Sequence, residues 1–247
     1  MRYLGGKTRF RREILNAILR RKDTDSQTIK RSVNIGGGGI FASLFCGGLS
    51  VECAVVETGA FERVIVNDKH PYLIALYRAL KDGWTPPEEV TEEEYRYVRT
   101  HLDENPALSG FVGFGCSFGG KWFAGYARAQ KQRFYSLESY NSLMRQLPYI
   151  RKMEFLCLDY RDVDVPDGST VYADPPYAEG TKYTFGINQK EFWDYMRELH
   201  RRGNRVFISE ENAPEDFLCV WEKEIKSTLD NVGGNYRIRT ERLFTLQ

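Results

Sequence analysis

The feature that most constrains this chain is a recurrence of short apolar runs, each ending in a turn and leading into a segment of helical period. Ile40 to Phe45, Arg63 to Val66, Glu154 to Leu158, Thr170 to Ala173 and Arg205 to Ser209 read as strands. Thr8 to Arg21 reads as a helix, because Phe10, Ile14, Leu15, Ile18 and Leu19 fall at helical spacing. Ser50 to Thr58, Pro71 to Leu80 and Gln189 to Arg202 read likewise, and Pro71 suits a first helical turn. Two more strands are predicted near Cys219 to Ile225 and Tyr236 to Phe244. Such alternation predicts an α/β chain with an open, mostly parallel sheet covered on both faces. Ligands of these sheets bind beyond the carboxyl ends of the strands, so the residues just after each strand carry the functional question.

The middle of the chain breaks the pattern. Gly83-Trp84-Thr85-Pro86-Pro87 is a boundary loop. Thr91 and Glu94 form a capping-box pattern that opens an acidic helix running to about Leu102. Phe111 to Tyr126 mixes glycine with aromatic residues at neither sheet nor helix period, and reads as an ordered functional loop. Ser136 to Leu147 is again helical. The expected division is therefore a main domain from 1–83 and 151–247, with 84–150 as a smaller, mainly helical inserted lobe. Gly36 to Gly39 reads as loop, with no assigned role.

Composition excludes several classes. At 247 residues and 42% hydrophobic, the chain can build a core and is not a disordered one. A formal net charge of +1 leaves any nucleic-acid contact to local basic clusters. No apolar run reaches the roughly 18 residues that would suggest a membrane span. The opening MRYLGGKTRF has no signal-peptide pattern, so a cytoplasmic protein is expected. Cys46, Cys53, Cys116, Cys157 and Cys219 are odd in number and form no CxxC pair. With His70, His101 and His200 scattered, they argue against a disulfide framework, a metal site or a Ser-His-Asp triad.

The strand ends differ in how much they say. Phe45-Cys46-Gly47-Gly48 is a glycine turn that lets backbone approach a ligand, or a plain structural turn. Asp68 can accept both hydroxyls of a ribose, or cap the helix that begins near His70. Asp159 can accept from an adenine amino group with Tyr160 packed on its ring, or be an ordinary turn residue. Asp174-Pro175-Pro176-Tyr177 is more specific. Two prolines stiffen the backbone and remove two N–H donors, holding a carboxylate at the tip of an apolar strand beside a flat ring. Asp174 and a proline carbonyl can take the two N–H groups of a planar amine while Tyr177 stacks on it.

With these residues in place, the sequence resembles the DNA adenine methyltransferases, most closely their phage and prophage members. Tyr3, Gly5, Gly6 and Lys7 are similar to the N-terminal cofactor motif. Phe45, Cys46 and Gly47 stand where the first cofactor loop belongs, and Asp68 where the ribose carboxylate belongs. Asp174, Pro175, Pro176 and Tyr177 match the catalytic motif, and Phe114 to Arg128 resembles the stretch that lies near DNA. The chain departs from the family in carrying Ser43-Leu44 where Glu-Pro is common, Leu49 at a glycine position, and Tyr3 where Trp is frequent.

The resemblance implies a Rossmann-like methyltransferase fold with 84–150 as a DNA-recognition lobe. It also implies S-adenosylmethionine as cofactor and methyl transfer to the 6-amino group of adenine in double-stranded DNA, with the base flipped out. Asp174, Pro175, Pro176 and Tyr177 would be catalytic. Tyr3, Gly5, Gly6, Lys7, Phe45, Cys46, Gly47, Asp68, Asp159, Tyr160 and Asp174 would hold the cofactor. Lys121, Arg128, Lys131 and Arg133 form a basic cluster for phosphates, as do residues at the N-terminus, with the acidic helix turned away. No membrane and no obligate protein partner are expected. Two rival readings stand beside this one: an amino-methyltransferase acting on cytosine, RNA or a glutamine side chain, and a catalytically weak DNA-binding relative.

Overall fold

The computed structural model describes residues 1, 3–20, 39–128, 134–176, 187–227 and 237–247. Seven strands form one sheet: β1 (Ile40–Ser43), β2 (Arg63–Asn67), β3 (Glu154–Leu156), β4 (Thr170–Ala173), β5 (Arg205–Glu210), β6 (Leu218–Ser227) and β7 (Arg237–Thr245). Their order is β3-β2-β1-β4-β5-β7-β6. The first five run parallel, and β7 enters antiparallel between β5 and β6. This is an α/β fold with a mostly parallel sheet.

The strands sort their side chains by the two-residue period of extended backbone. Phe41, Val64, Val66, Tyr172, Phe207 and Leu243 enter one core. Their neighbours Ala42, Ile65, Val171, Ala173, Val206, Ile208 and Phe244 enter the other. Both faces are apolar, as a sheet with helices on each side requires. The first face is covered by α1 (Arg11–Leu19), α2 (Ser50–Thr58), α3 (Pro71–Lys81), α4 (Glu92–Thr100) and α6 (Tyr135–Ile150). The second is covered by α7 (Gln189–Arg201). Among the described residues, no helix is long and apolar enough to cross a membrane.

Local chemistry explains most helix starts. Thr91 and Glu94 close the capping box of α4, with bonds of 3.1 and 2.6 Å. Asn188 caps α7 through the Glu191 amide. The start of α2 is different. Leu49 precedes it at φ 58°, a left-handed conformation that suits glycine, yet its side chain is fully buried. Leu49→Gly would relieve about 1–2 kcal/mol of backbone strain and lose about 2–5 kcal/mol of packing. The variant is expected to be less stable by about 1–3 kcal/mol, read from its urea midpoint.

The glycine- and aromatic-rich segment is more ordered than its sequence suggests. A short helix, α5 (Pro106–Gly110), runs into a π-helical turn over Phe111–Gly115, and the expected loop is buried there. The glycines set close approaches. A Cβ on Gly113 would stand 2.2 Å from the Trp122 ring, and one on Gly115 3.0 Å from Ser139. Phe111, Val112, Phe114, Leu143 and Ile150 share one core with Leu73, Leu76 and Tyr77 of α3. Residues from α5, the π-helical turn and α6 thus share the core that α2 and α3 build on this face of the sheet.

Candidate active site

Parallel strands place their carboxyl ends on one edge, and β1, β2, β4 and β5 deliver four polar segments there. Asn67 pins them. Its side-chain amide donates to the Leu44 and Leu158 carbonyls at 3.1 and 3.0 Å and accepts from the Leu158 amide at 3.0 Å. The turn after β1 is held on every side. Gly47, at φ 42°, donates its N–H to Asp68 Oδ2 at 3.0 Å. Its carbonyl accepts from the Tyr77 hydroxyl at 2.6 Å, and the Gly48 carbonyl from Gln146 at 2.9 Å. Cys46 is buried beneath.

Asp68 therefore does two things. Oδ2 fastens the Gly47 turn, and Oδ1 accepts the His70 amide at 3.0 Å before α3. Burial pushes its carboxyl up, against those two hydrogen bonds. A carboxylate has about four acceptor positions, so two remain for a pair of hydroxyls. Tyr3 lies against the glycines. A Cβ on Gly47 would stand 2.7 Å from its ring, and one on Gly48 2.9 Å from its Cβ. Gly5 turns at φ 79°, and a Cβ on Gly6 would stand 3.2 Å from the Tyr3 carbonyl.

The N-terminal motif also reaches the end of β4. Lys7 opens a short 3-10 turn (Lys7–Arg9), and its ammonium is buried between two carboxylates. It stands 3.2 Å from Asp174 Oδ1 and 3.0 Å from Glu241 Oε2. Burial alone would pull the ammonium down, but Asp174 and Glu241 hold it above its ordinary range. Lys7 therefore faces the carboxylates and is no part of a basic surface. Burial pushes Asp174 up to about 6, against the pull of Lys7. Pro175 is buried and Pro176 half-buried, while Tyr177 lies outside the described residues.

Two further carboxylates surround this point. Glu52, buried on α2, accepts the Ser43 hydroxyl at 2.6 Å, and burial raises it to about 7. Glu210, at the end of β5, is raised by burial to about 7. Sequence reasoning missed Glu52, Glu210, Glu241 and Asn67. The strand register would have located Glu241. Arg242 pairs with Glu210, so Glu241 extends one residue past the edge where the parallel strands end.

Other expectations need correction. The Tyr160 ring is not a platform for a ligand. It is buried against Phe45, Phe192 and Tyr195, at centroid distances of 5.3, 5.8 and 5.6 Å. Phe45 belongs to the same aromatic group. The Asp159 carboxylate is engaged by Lys69 and Arg161 at 2.9 and 2.8 Å, and Arg161 foremost holds it well below the usual range. The acidic helix is not remote from the basic cluster, since Glu92 at its start binds Arg128 at 2.8 and 3.0 Å. Lys121 is half-buried, next to a 3-10 turn whose Phe118 is 68% exposed. Lys131, Arg133 and Gly36 to Gly38 lie outside the described residues. A cavity of about 580 Å³ opens between Tyr3, Gly6 and α6, with neither Asp68 nor Asp174 in its lining.

Residues 3–110 match the family model of the D12 class N6 adenine-specific DNA methyltransferases. No curated protein sequence matches the chain. Among solved structures, the chain is similar to a precorrin-6y C5,15-methyltransferase from Geobacter metallireducens. That match has 8% identity and a TM-score of 0.40, over 97% of this chain and 87% of the other. It is also similar to M. jannaschii TYW2 in complex with AdoMet, at 10% identity and a TM-score of 0.36, over 100% and 79%.

Proposed function

Starting from a chain whose residues 3–110 match the model of the D12 class N6 adenine-specific DNA methyltransferases, we propose that it methylates the 6-amino group of adenine in double-stranded DNA after flipping the base out. It is a methyltransferase, and its cofactor is S-adenosylmethionine. When bound, this cofactor supplies an activated methyl group on a sulfonium. The residues fit it: the Gly47 turn carries no side chain, Asp68 keeps acceptor positions for the ribose, and Tyr3 offers a ring against the glycine turn.

The observation that carries the reading is Asp174, a carboxylate at a strand tip, gripped from one side by Lys7 and followed by two prolines. An aromatic amine is a poor nucleophile because its lone pair is delocalised into the ring. Hydrogen bonds from its N–H groups to Asp174 and the Pro175 carbonyl favour a pyramidal nitrogen and return that lone pair. Such acceptors, positioned before the reaction, stabilise charge as it develops. Stacking on Tyr177 would offset part of the few kcal/mol that flipping costs. The test is incubation with duplex DNA and a methyl-labelled donor, followed by mapping of the modified base. Label on adenine N6 is expected; label on cytosine, on RNA alone or on neither would overturn the reading.

The 84–150 insert would meet the DNA, with Lys121 and Arg128 toward the phosphates. The structure separates their expected effects. Lys121→Glu should weaken binding and lower the salt slope by about 1. Arg128→Gln should weaken it less, because Arg128 is already engaged by Glu92, which it shares with Arg96. Titrations of DNA affinity against salt for both variants check this.

A further inference from the structure

We propose that Glu241 is a positioning residue for methyl transfer: it seats the Lys7 ammonium so that the Asp174 carboxylate can turn an oxygen to the target amine. The inference rests on the methyltransferase reading of Asp174 but concerns a residue which that reading does not use.

The geometry is a single buried cation between two acids. Lys7 Nζ lies 3.0 Å from Glu241 and 3.2 Å from Asp174. The three groups come from three distant parts of the chain: the N-terminal turn, the tip of β4 and the β7 strand. β7 runs antiparallel to β5, so Glu241 approaches from past the edge at which Asp174 sits. An ammonium with Asp174 as its sole partner would close on the carboxylate and compete with the incoming amine for the same oxygens. A second carboxylate, slightly nearer, shares it. The pair of acids also gives the triad one net negative charge, which suits a site that receives a sulfonium.

Among the described residues, titratable groups from several elements face Asp174. Lys7 from the N-terminal turn favours its ionised form. Glu241 from β7 opposes it, while Glu210 from β5, Glu52 from α2 and the Tyr172 phenol from β4 are themselves raised by the Asp174 charge. Glu241→Gln removes one like charge from beside Asp174 and Lys7.

The first measurement is the Asp174 carboxyl titration by carbon NMR in ligand-free protein, with the signal assigned by its loss in Asp174→Asn. The midpoint is expected to fall by about one pH unit in Glu241→Gln and to rise in Lys7→Gln. The second is turnover on DNA. Glu241→Gln should lose roughly tenfold in kcat with KM for the donor little changed, and Glu241→Asp should recover part of it. In the double variant Lys7→Gln/Glu241→Gln, the Glu241 change should cost nothing further, because its effect runs through Lys7. An unmoved Asp174 midpoint in Glu241→Gln, or losses that multiply in the double variant, would overturn the proposal. Wild-type protein without methyl transfer would overturn the proposed function, while the titration would still decide whether Glu241 governs Lys7 and Asp174.

Discussion

Asp174→Ala is expected to abolish methyl transfer, by about a thousandfold or more, while S-adenosylmethionine binding largely survives. The loss follows from removing the acceptor that returns the lone pair to the amine. Deleting one well-placed charge-stabilising group costs about 10²–10³ in rate, and here the same group also orients the base. Glu241 keeps Lys7 paired in the variant, so no buried ammonium is orphaned and the protein should stay folded. Single-turnover transfer of labelled methyl gives the first number, calorimetry with the cofactor the second and thermal unfolding the control. Near-normal turnover would remove Asp174 from the mechanism. In the intact protein the carboxylate is needed ionised. Activity should therefore decline as pH falls through about 6, to which burial raises it.

Among the described glycines, Gly110→Ala should be the most damaging. The added Cβ would lie 2.1 Å from the Tyr72 carbonyl oxygen and 3.0 Å from the Leu76 Cβ. No flexible side-chain end can yield there, because the first obstacle is backbone. The relief left is to part α5 from α3, which breaks the core shared by Leu73, Leu76 and Phe111. Overpacking costs about 1–3 kcal/mol where a core can adjust, and this contact calls for the upper end or beyond. Since α3 begins beside Asp68, cofactor affinity should fall as well. Gly119→Ala is the comparison: its φ of 66° strains an alanine, but a Cβ there meets open space. A urea series should show a large drop for the first and about 1 kcal/mol for the second. Equal midpoints would mean that α3 and α5 do not meet at Gly110.

The legible and illegible parts of the sequence divide by the range of the forces involved. Thr170 to Ala173 and Ser50 to Thr58 were readable to the residue, because periodicity and turn chemistry are local. The capping box at Thr91 was readable for the same reason. The segment from Phe111 to Gly115 was not, since its helical turn has no clean period and is held by aromatic rings brought from α3 and Trp122. The helix read as Ser136 to Leu147 runs on through Pro148 to Ile150, which is completely buried. Burial of that side chain outweighs the backbone bond that proline cannot make. Tyr160 looked like a ligand platform, but its surroundings are chosen by α7, some 30 residues further on.

The sequence alone determined the α/β alternation, the strand ends on which chemistry would sit, and the Asp-Pro-Pro-Tyr signature that marks Asp174. Those depend on residue type, spacing and backbone stiffness, all written within a few positions. The tertiary structure alone decided that Lys7 faces Asp174 and not a phosphate, that Glu241 shares it, and that Arg128 is already paired with Glu92. Charge acts through space over a few ångströms. Lys7 and Glu241 are 234 positions apart, and only the folded sheet brings them into that range.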